Sequence, residues 1–272
     1  YAICSFNLYT YIKLLFCLNF NKFGKKLFVN KIFWRTNMLE SQNRVIMISG
    51  ANRGIGFETA KLLHAKGYFL SLGARKIEEI ELKDNTKNLI KCSWDAKDKS
   101  SSKKWVDSTL ASFGRIDGVV MNAGVELGGD LDGDTEDEFD EMFEVNFKGP
   151  LRLVRETMPE LRKSGSGRVV NVVSLAGKRP RKSTMLGYSA SKFAAMSLTN
   201  AIRLSGWNDG VRATSVCPGM VKTRMTEEVL VPDGQFKMEP EVIAETIAYA
   251  LSLPNSAVVA EILVNSRLED MF

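Results

Sequence analysis

The chain has 272 residues, 44% hydrophobic and 25% charged, the balance of a soluble globular protein. Its single histidine, His64, leaves almost no material for a Ser-His-Asp triad or a His-rich metal site, and Cys4, Cys17, Cys92 and Cys217 have neither metal-ligand spacing nor the look of a disulfide framework. The net charge of +5 is concentrated at one end: residues 1–37 hold six Lys or Arg and no acid, leaving 31 basic against 32 acidic groups and no broad basic footprint for nucleic acid.

Residues 1–37 are rich in Phe, Tyr, Ile, Leu, Lys and Asn, lack an initiating Met and are followed at once by Met38. The favoured reading is translated sequence upstream of the true start. A membrane anchor needs about 20 mostly apolar residues, and residues 2–20 nearly qualify. However, Asn7, Lys13 and Asn19 interrupt the run, and a central lysine costs roughly 2.5–3.5 kcal/mol on insertion. An organelle-targeting peptide is basic and acid-poor, but also Ser- and Arg-rich, which this segment is not. The segment is therefore set apart, and a membrane contact is expected only if it is a true anchor.

From Met38 the chain alternates strand and helix signals. "RVIMIS" (44–49) reads as a strand, "GANRGIG" as a turn, and "FETAKLLHAKG" as a helix stopped by Gly67, with His64 a partly buried helix residue. "YFLSLG", "NLIKCSWD" and "RIDGVVMNAG" supply three more strands. "TEDEFDEMFEVNF" opens with Thr135 and Glu138 at capping-box spacing, and Pro150 suits the first turn of the next helix. "GRVVNVVS", "VRATSVCPG" and "AVVAEILV" are strands, and "EPEVIAETIAYALSLP" is a helix. Continuous apolar strands alternating with helices predict an α/β fold: one doubly wound, Rossmann-type domain over 38–272, its mostly parallel sheet covered on both faces.

Gly50, Gly54 and Gly56 fall between the first strand and the first helix. Glycine there permits a tight turn and lets a pyrophosphate approach the N–H groups at the helix start. Asp95 closes the third strand, where a carboxylate can accept from an adenine amino group. Further on, "YSASK" puts Tyr188 and Lys192 one helical turn apart, so that a phenol and an ammonium share one face.

With "GANRGIG", Asp95, "NAG" at 122–124, Asn146, Ser174, "YSASK", "PG" at 218–219 and Thr223 in this order, the body resembles the short-chain dehydrogenases/reductases over residues 42–265. Ser49 and Met121 depart from the usual pattern without removing a reactive group. The resemblance implies an NAD(P)-dependent oxidoreductase acting on a carbonyl or secondary alcohol. It makes Tyr188 the general acid–base, its pKa lowered by the Lys192 ammonium, with Lys192 also holding the nicotinamide ribose. Ser174 is to hold the substrate oxygen, Asn146 a relay water behind Lys192, and Thr223 the nicotinamide carboxamide. Asn122 and Gly124 are to line the cofactor cleft, and Asn52, Ile55, Pro218 and Val221 join the cofactor-contacting set. A nucleotide-sensing protein or a sugar-nucleotide epimerase or dehydratase on the same fold is the alternative.

NADP(H) is expected over NAD(H). An NAD-preferring domain places a carboxylate at the end of the second strand, where this chain has Ala74 followed by Arg75; Arg75 and Arg53 can approach a 2′-phosphate from two sides. Residues 221–238 suit a mobile lid over a medium-sized, partly apolar small-molecule substrate. "KRPRK" (178–182) is a solvated loop or, through Lys178 and Arg181, a dock for an anionic substrate group. The resemblance further implies a homodimer or homotetramer packed through the Tyr188 helix, where Ala190, Ala194 and Ala201 form a small-residue stripe. A cytoplasmic location follows from the cysteine usage.

Overall fold

In the computed structural model, residues 38–83, 87–127, 129–133, 135–180, 182–231 and 236–266 are described; the leader and Arg181 lie outside them. Strands β1 (Val45–Ser49), β2 (Phe69–Ala74), β3 (Leu89–Ser93), β4 (Gly118–Met121), β5 (Arg168–Val172), β6 (Arg212–Pro218) and β7 (Glu261–Val264) form one sheet in the order β3-β2-β1-β4-β5-β6-β7. Every neighbouring pair is parallel. The expected doubly wound architecture is present.

Side-chain alternation sends successive residues of a strand to opposite faces. Ile46 and Ile48 of β1 therefore enter one core while Met47 enters the other. The first core is closed by α1 (Gly54–Ala65) and α6 (Pro240–Ser252), through Leu63, Ile243, Ile247 and Leu251. The second is closed by α2 (Ser101–Phe113), through Trp105 and Val106. Because both faces are covered, the central strands are buried throughout while edge strands β3 and β7 are only half-buried.

One expectation fails at residue 135. Thr135 makes no side-chain cap, and its φ of −122° and ψ of 22° lie outside the extended region that a capping box needs. Glu136, Asp137 and Glu138 instead place carboxylates in the first turn, against the positive end of the helix dipole. Pro150 does fall in the first turn of a helix, as expected, but the chain does not break before it. Helix α3 (Glu136–Phe143) runs through a π-helical turn, Glu144–Lys148, directly into α4 (Gly149–Lys163). A proline is tolerated there because the wider turn already departs from regular α bonding. That widened turn carries Asn146.

The sheet order reverses between β1 and β4, and a parallel sheet opens a crevice at such a point, beyond the carboxyl ends of its strands. The glycine loop follows β1, Arg75 follows β2, and Asp95 lies just beyond β3. Asn122 and Gly124 follow β4, Ser174 follows β5, and Val221 and Thr223 follow β6, which ends at Pro218. All of them stand at this one edge. Helix α5 (Leu186–Gly206) brings Tyr188 and Lys192 to it.

Candidate active site

Glycine has a steric reason at each end of the first loop. Gly50 has a φ of +66°, which side chains rarely adopt. A Cβ on Gly56 would lie 2.2 Å from the Gly50 carbonyl oxygen and 2.4 Å from the Asn122 amide nitrogen. Asn122 is committed to this loop: its Nδ2 donates to the carbonyls of Ser49 and Gly50, at 3.0 and 3.1 Å. The Ser49 hydroxyl accepts from the backbone N–H of Asn122 and Ala123, at 3.0 and 3.1 Å. Asn122 thus braces the cradle rather than reaching into the cleft. The first turn of α1 holds no acidic residue, and Arg53 makes no side-chain cap. Its N–H groups are left for an anion, so the loop fits a dinucleotide pyrophosphate. The Thr223 methyl carbon would stand 3.1 Å from a Cβ on Gly54, which sets Thr223 across the same loop.

At the other end of the crevice, Asn146 is buried and fully engaged. Its Oδ1 accepts from Val125 N–H at 2.9 Å, and its Nδ2 donates to the Val125 carbonyl and to Ser191 Oγ, each at 2.9 Å. Ser191 in turn donates to the Tyr188 carbonyl at 2.7 Å. Ser191, one of the small residues inside "YSASK", therefore locks the π turn to α5. Only its place between the tyrosine and the lysine hinted at that. Gly124 stands between the two groups: a Cβ there would come within 3.2 Å of Asn146 Oδ1 and 3.4 Å of Lys192 Nζ.

Tyr188 and Lys192 do share a face, with Lys192 Nζ 5.7 Å from the centre of the Tyr188 ring. The electrostatics differ from expectation. Burial drives the Tyr188 phenol well above its ordinary pKa; its side-chain hydrogen bond with Ser174 works in the opposite direction, and the Glu126 carboxylate adds to the rise. Lys192 is not what lowers it. Burial brings the Lys192 ammonium itself down to about 8, and its Nζ donates to the Val172 carbonyl at 3.1 Å. Desolvation of a fully enclosed phenol outweighs a cation held beside its ring. Ser174, just past β5, also accepts from Ala176 N–H at 3.1 Å.

Two carboxylates that were not singled out in the sequence face the crevice. Glu126 follows the Val125 peptide held by Asn146 and is exposed as a residue, while partial enclosure of its carboxyl raises its pKa. Glu79 lies in a short 3₁₀ turn after β2, with Asn52 Nδ2 donating to it at 2.8 Å. Arg53 and Arg75 are exposed, Ile55 packs partly on the core, and Val221 is buried and bridges to Met238. The Asp95 carboxylate accepts from the Lys97 N–H at 2.9 Å. Lys178 pairs with Glu261 at 2.7 Å, so its charge is not left over for an anionic substrate.

Residues 44–232 match the short chain dehydrogenase family. The chain belongs to the short-chain dehydrogenase/reductase family. Members are NAD(P)-dependent oxidoreductases working at alcohol and carbonyl carbons. The chain is 37% identical over 221 residues to an agropine synthesis reductase of Rhizobium rhizogenes, covering 80% of this chain and 51% of that protein. It thus spans about half the length of that relative. An uncharacterised oxidoreductase of Staphylococcus epidermidis is 33% identical over 230 residues, covering 84% of this chain and 99% of the relative. Among solved structures, an alcohol dehydrogenase from the archaeon Thermococcus sibiricus, complexed with 5-hydroxy-NADP, is 30% identical. It superposes with a TM-score of 0.74 over 83% of this chain and 99% of its own.

Proposed function

We propose that residues 38–272 form an NADP(H)-dependent oxidoreductase that interconverts a carbonyl and a secondary alcohol, with Tyr188 as the general acid–base. The observation that carries this is the convergence of Tyr188, Ser174, Lys192 and Asn146 at the end of the crevice away from the glycine loop. When bound, the nicotinamide gives or takes the hydride. Tyr188 Oη gives the substrate oxygen its proton in reduction and takes it back in oxidation. Ser174 Oγ holds that oxygen and steadies its developing charge. Lys192 Nζ replaces the proton lost from the tyrosine side and holds the ribose. Pro150 brings no N–H back to the Asn146 carbonyl four residues earlier, which leaves that oxygen suited to a relay water.

The preference for NADP(H) rests on Arg75 directly after β2 and Arg53 at the start of α1, with Ala74 where an NAD-preferring chain carries an acid. Losing one charged hydrogen bond of about 1.5–3 kcal/mol costs roughly ten- to a hundredfold in affinity. Arg75→Ala is therefore expected to lower the ratio of kcat/KM with NADPH to kcat/KM with NADH by that factor, measured on a substrate found in a carbonyl panel. A parent that prefers NADH, or an unchanged ratio, sinks the reading. An apolar substrate side is supported by exposed Leu127, next to Glu126, and by exposed Met225, Leu230 and Phe236 in the segment expected to act as a lid. With Glu126 beside Tyr188, this favours a neutral, partly apolar small molecule. A homodimer or homotetramer through α5 is supported by exposed Phe193 and Leu204 and by Ala190, Ala194 and Ala201, which are half-buried or exposed. A cytoplasmic setting is supported by Cys92 and Cys217 as free thiols. Among the described residues no helix is long and apolar enough to cross a membrane.

A further inference from the structure

The end of β2 carries no acid, yet a carboxylate returns to that ground from five residues further on. Lys76 is extended, and the chain then closes the 3₁₀ turn Ile77–Glu79, with Ile80 N–H donating to the Ile77 carbonyl at 3.1 Å. Ile80 is 1% exposed and plugs the turn into the core under α1. Glu79 is thus fixed at its backbone although its side chain is exposed. Asn52 Nδ2 donates to its Oε2 at 2.8 Å, and Lys76 Nζ lies 3.5 Å from its Oε1. The Asn52 bond holds its carboxyl below the usual range, with Lys76 and Arg53 adding to that effect. Groups from the glycine loop and from the end of β2 therefore converge on one internal anion.

We propose that Glu79 is a specificity-determining residue of the cofactor site: its carboxylate occupies, between Asn52, Arg53 and Lys76, the ground that the 2′-phosphate of NADP(H) would take. It opposes that phosphate by charge and by holding its donors, and it leaves NAD(H), which has only a hydroxyl there, nearly untouched. The proposal rests on the reading that this corner meets the adenosine ribose. Glu79 then moderates the preference that Arg75 and Arg53 create.

Glu79→Gln keeps the size and one acceptor for Asn52 while removing the charge. The test is equilibrium titration of the full chain with NADPH and with NADH, read by nicotinamide fluorescence. Removing one exposed negative charge beside a doubly charged phosphate should tighten NADPH about three- to tenfold and leave NADH within about twofold. The NADPH gain should shrink at high salt, as a screened interaction must. Glu79→Ala should give the same gain. Unchanged NADPH affinity in both variants overturns the proposal. So does weaker NADH binding in both, which would make Glu79 a holder of the ribose hydroxyls. If the parent binds NADH more tightly, the NADP(H) reading fails, whereas the NADPH gain in Glu79→Gln still decides the role of Glu79.

Discussion

Lys192 lies beside the Tyr188 ring, 5.7 Å from its centre, but its ammonium is turned to the Val172 carbonyl at 3.1 Å. The lysine is thus a backbone-anchored neighbour of the phenol. The group that hydrogen-bonds the tyrosine side chain is Ser174. This separates the two contacts: Ser174 meets the tyrosine side chain, and the Lys192 ammonium meets the Val172 carbonyl.

Tyr188→Phe removes only the hydroxyl from a buried ring that packs with Met142 and Ala176. A well-placed general acid contributes about 10²–10⁴-fold. Turnover should fall by that much, while NADPH titration and melting temperature stay close to the parent. Retained turnover would show that another group carries the proton.

Glu126 gives a pH test of the same tyrosine. In alcohol oxidation Tyr188 must be deprotonated to accept the substrate proton, so the rate rises with pH through its pKa. Burial holds that pKa up, Ser174 draws it down, and Glu126 adds to the rise. Glu126→Gln removes one upward push, so the rising limb of kcat should move to lower pH. A limb that stays in place, or moves higher, is incompatible with this arrangement.

The lysine at 178 is a case where sequence suggested one partner and the fold supplied another. Lys178 meets Glu261, 83 positions away, across the edge where β7 joins the sheet. Lys178→Gln should leave the KM ratio of acidic to neutral carbonyl substrates unchanged. The half-exposed ion pair it breaks is worth about 0–1 kcal/mol, so the fold should tolerate the change. A selective rise in KM for acidic substrates would restore the anion-dock reading of that loop.

Local sequence carried much of this fold. Apolar strands, helix periodicity and the glycines of the first loop are read from neighbours along the chain, and they predict β1 to β7 and the edge where the crevice lies. The candidate site residues were legible because their types and order are unusual together. What stayed hidden depends on contacts between distant segments. The π turn at Glu144–Lys148 leaves the 3.6-residue pattern almost unchanged, so the unbroken run from α3 into α4 ahead of Pro150 did not show. Glu79 returns to Asn52 only because Ile80 anchors a short turn. The raised pKa of Tyr188 comes from enclosure, which spacing between a tyrosine and a lysine does not report.

Gly124 offers the sharpest test of the crevice geometry. It is absent from the glycines with positive φ, so alanine there meets no backbone penalty. The added methyl would instead press on Asn146 Oδ1 at 3.2 Å and meet Lys192 Nζ at 3.4 Å. Asn146 is held by three hydrogen bonds, so it must loosen one to yield a few tenths of an ångström, whereas 3.4 Å from Lys192 Nζ is ordinary contact. Overpacking of this kind costs about 1–3 kcal/mol. Because the strain falls on Asn146, beside Lys192, Gly124→Ala should lower kcat by about tenfold or more while NADPH affinity changes less. Thermal unfolding should show a folded protein with a modestly reduced melting temperature. Parent-like kcat in a folded Gly124→Ala enzyme would mean that Asn146 does not need the position it holds here.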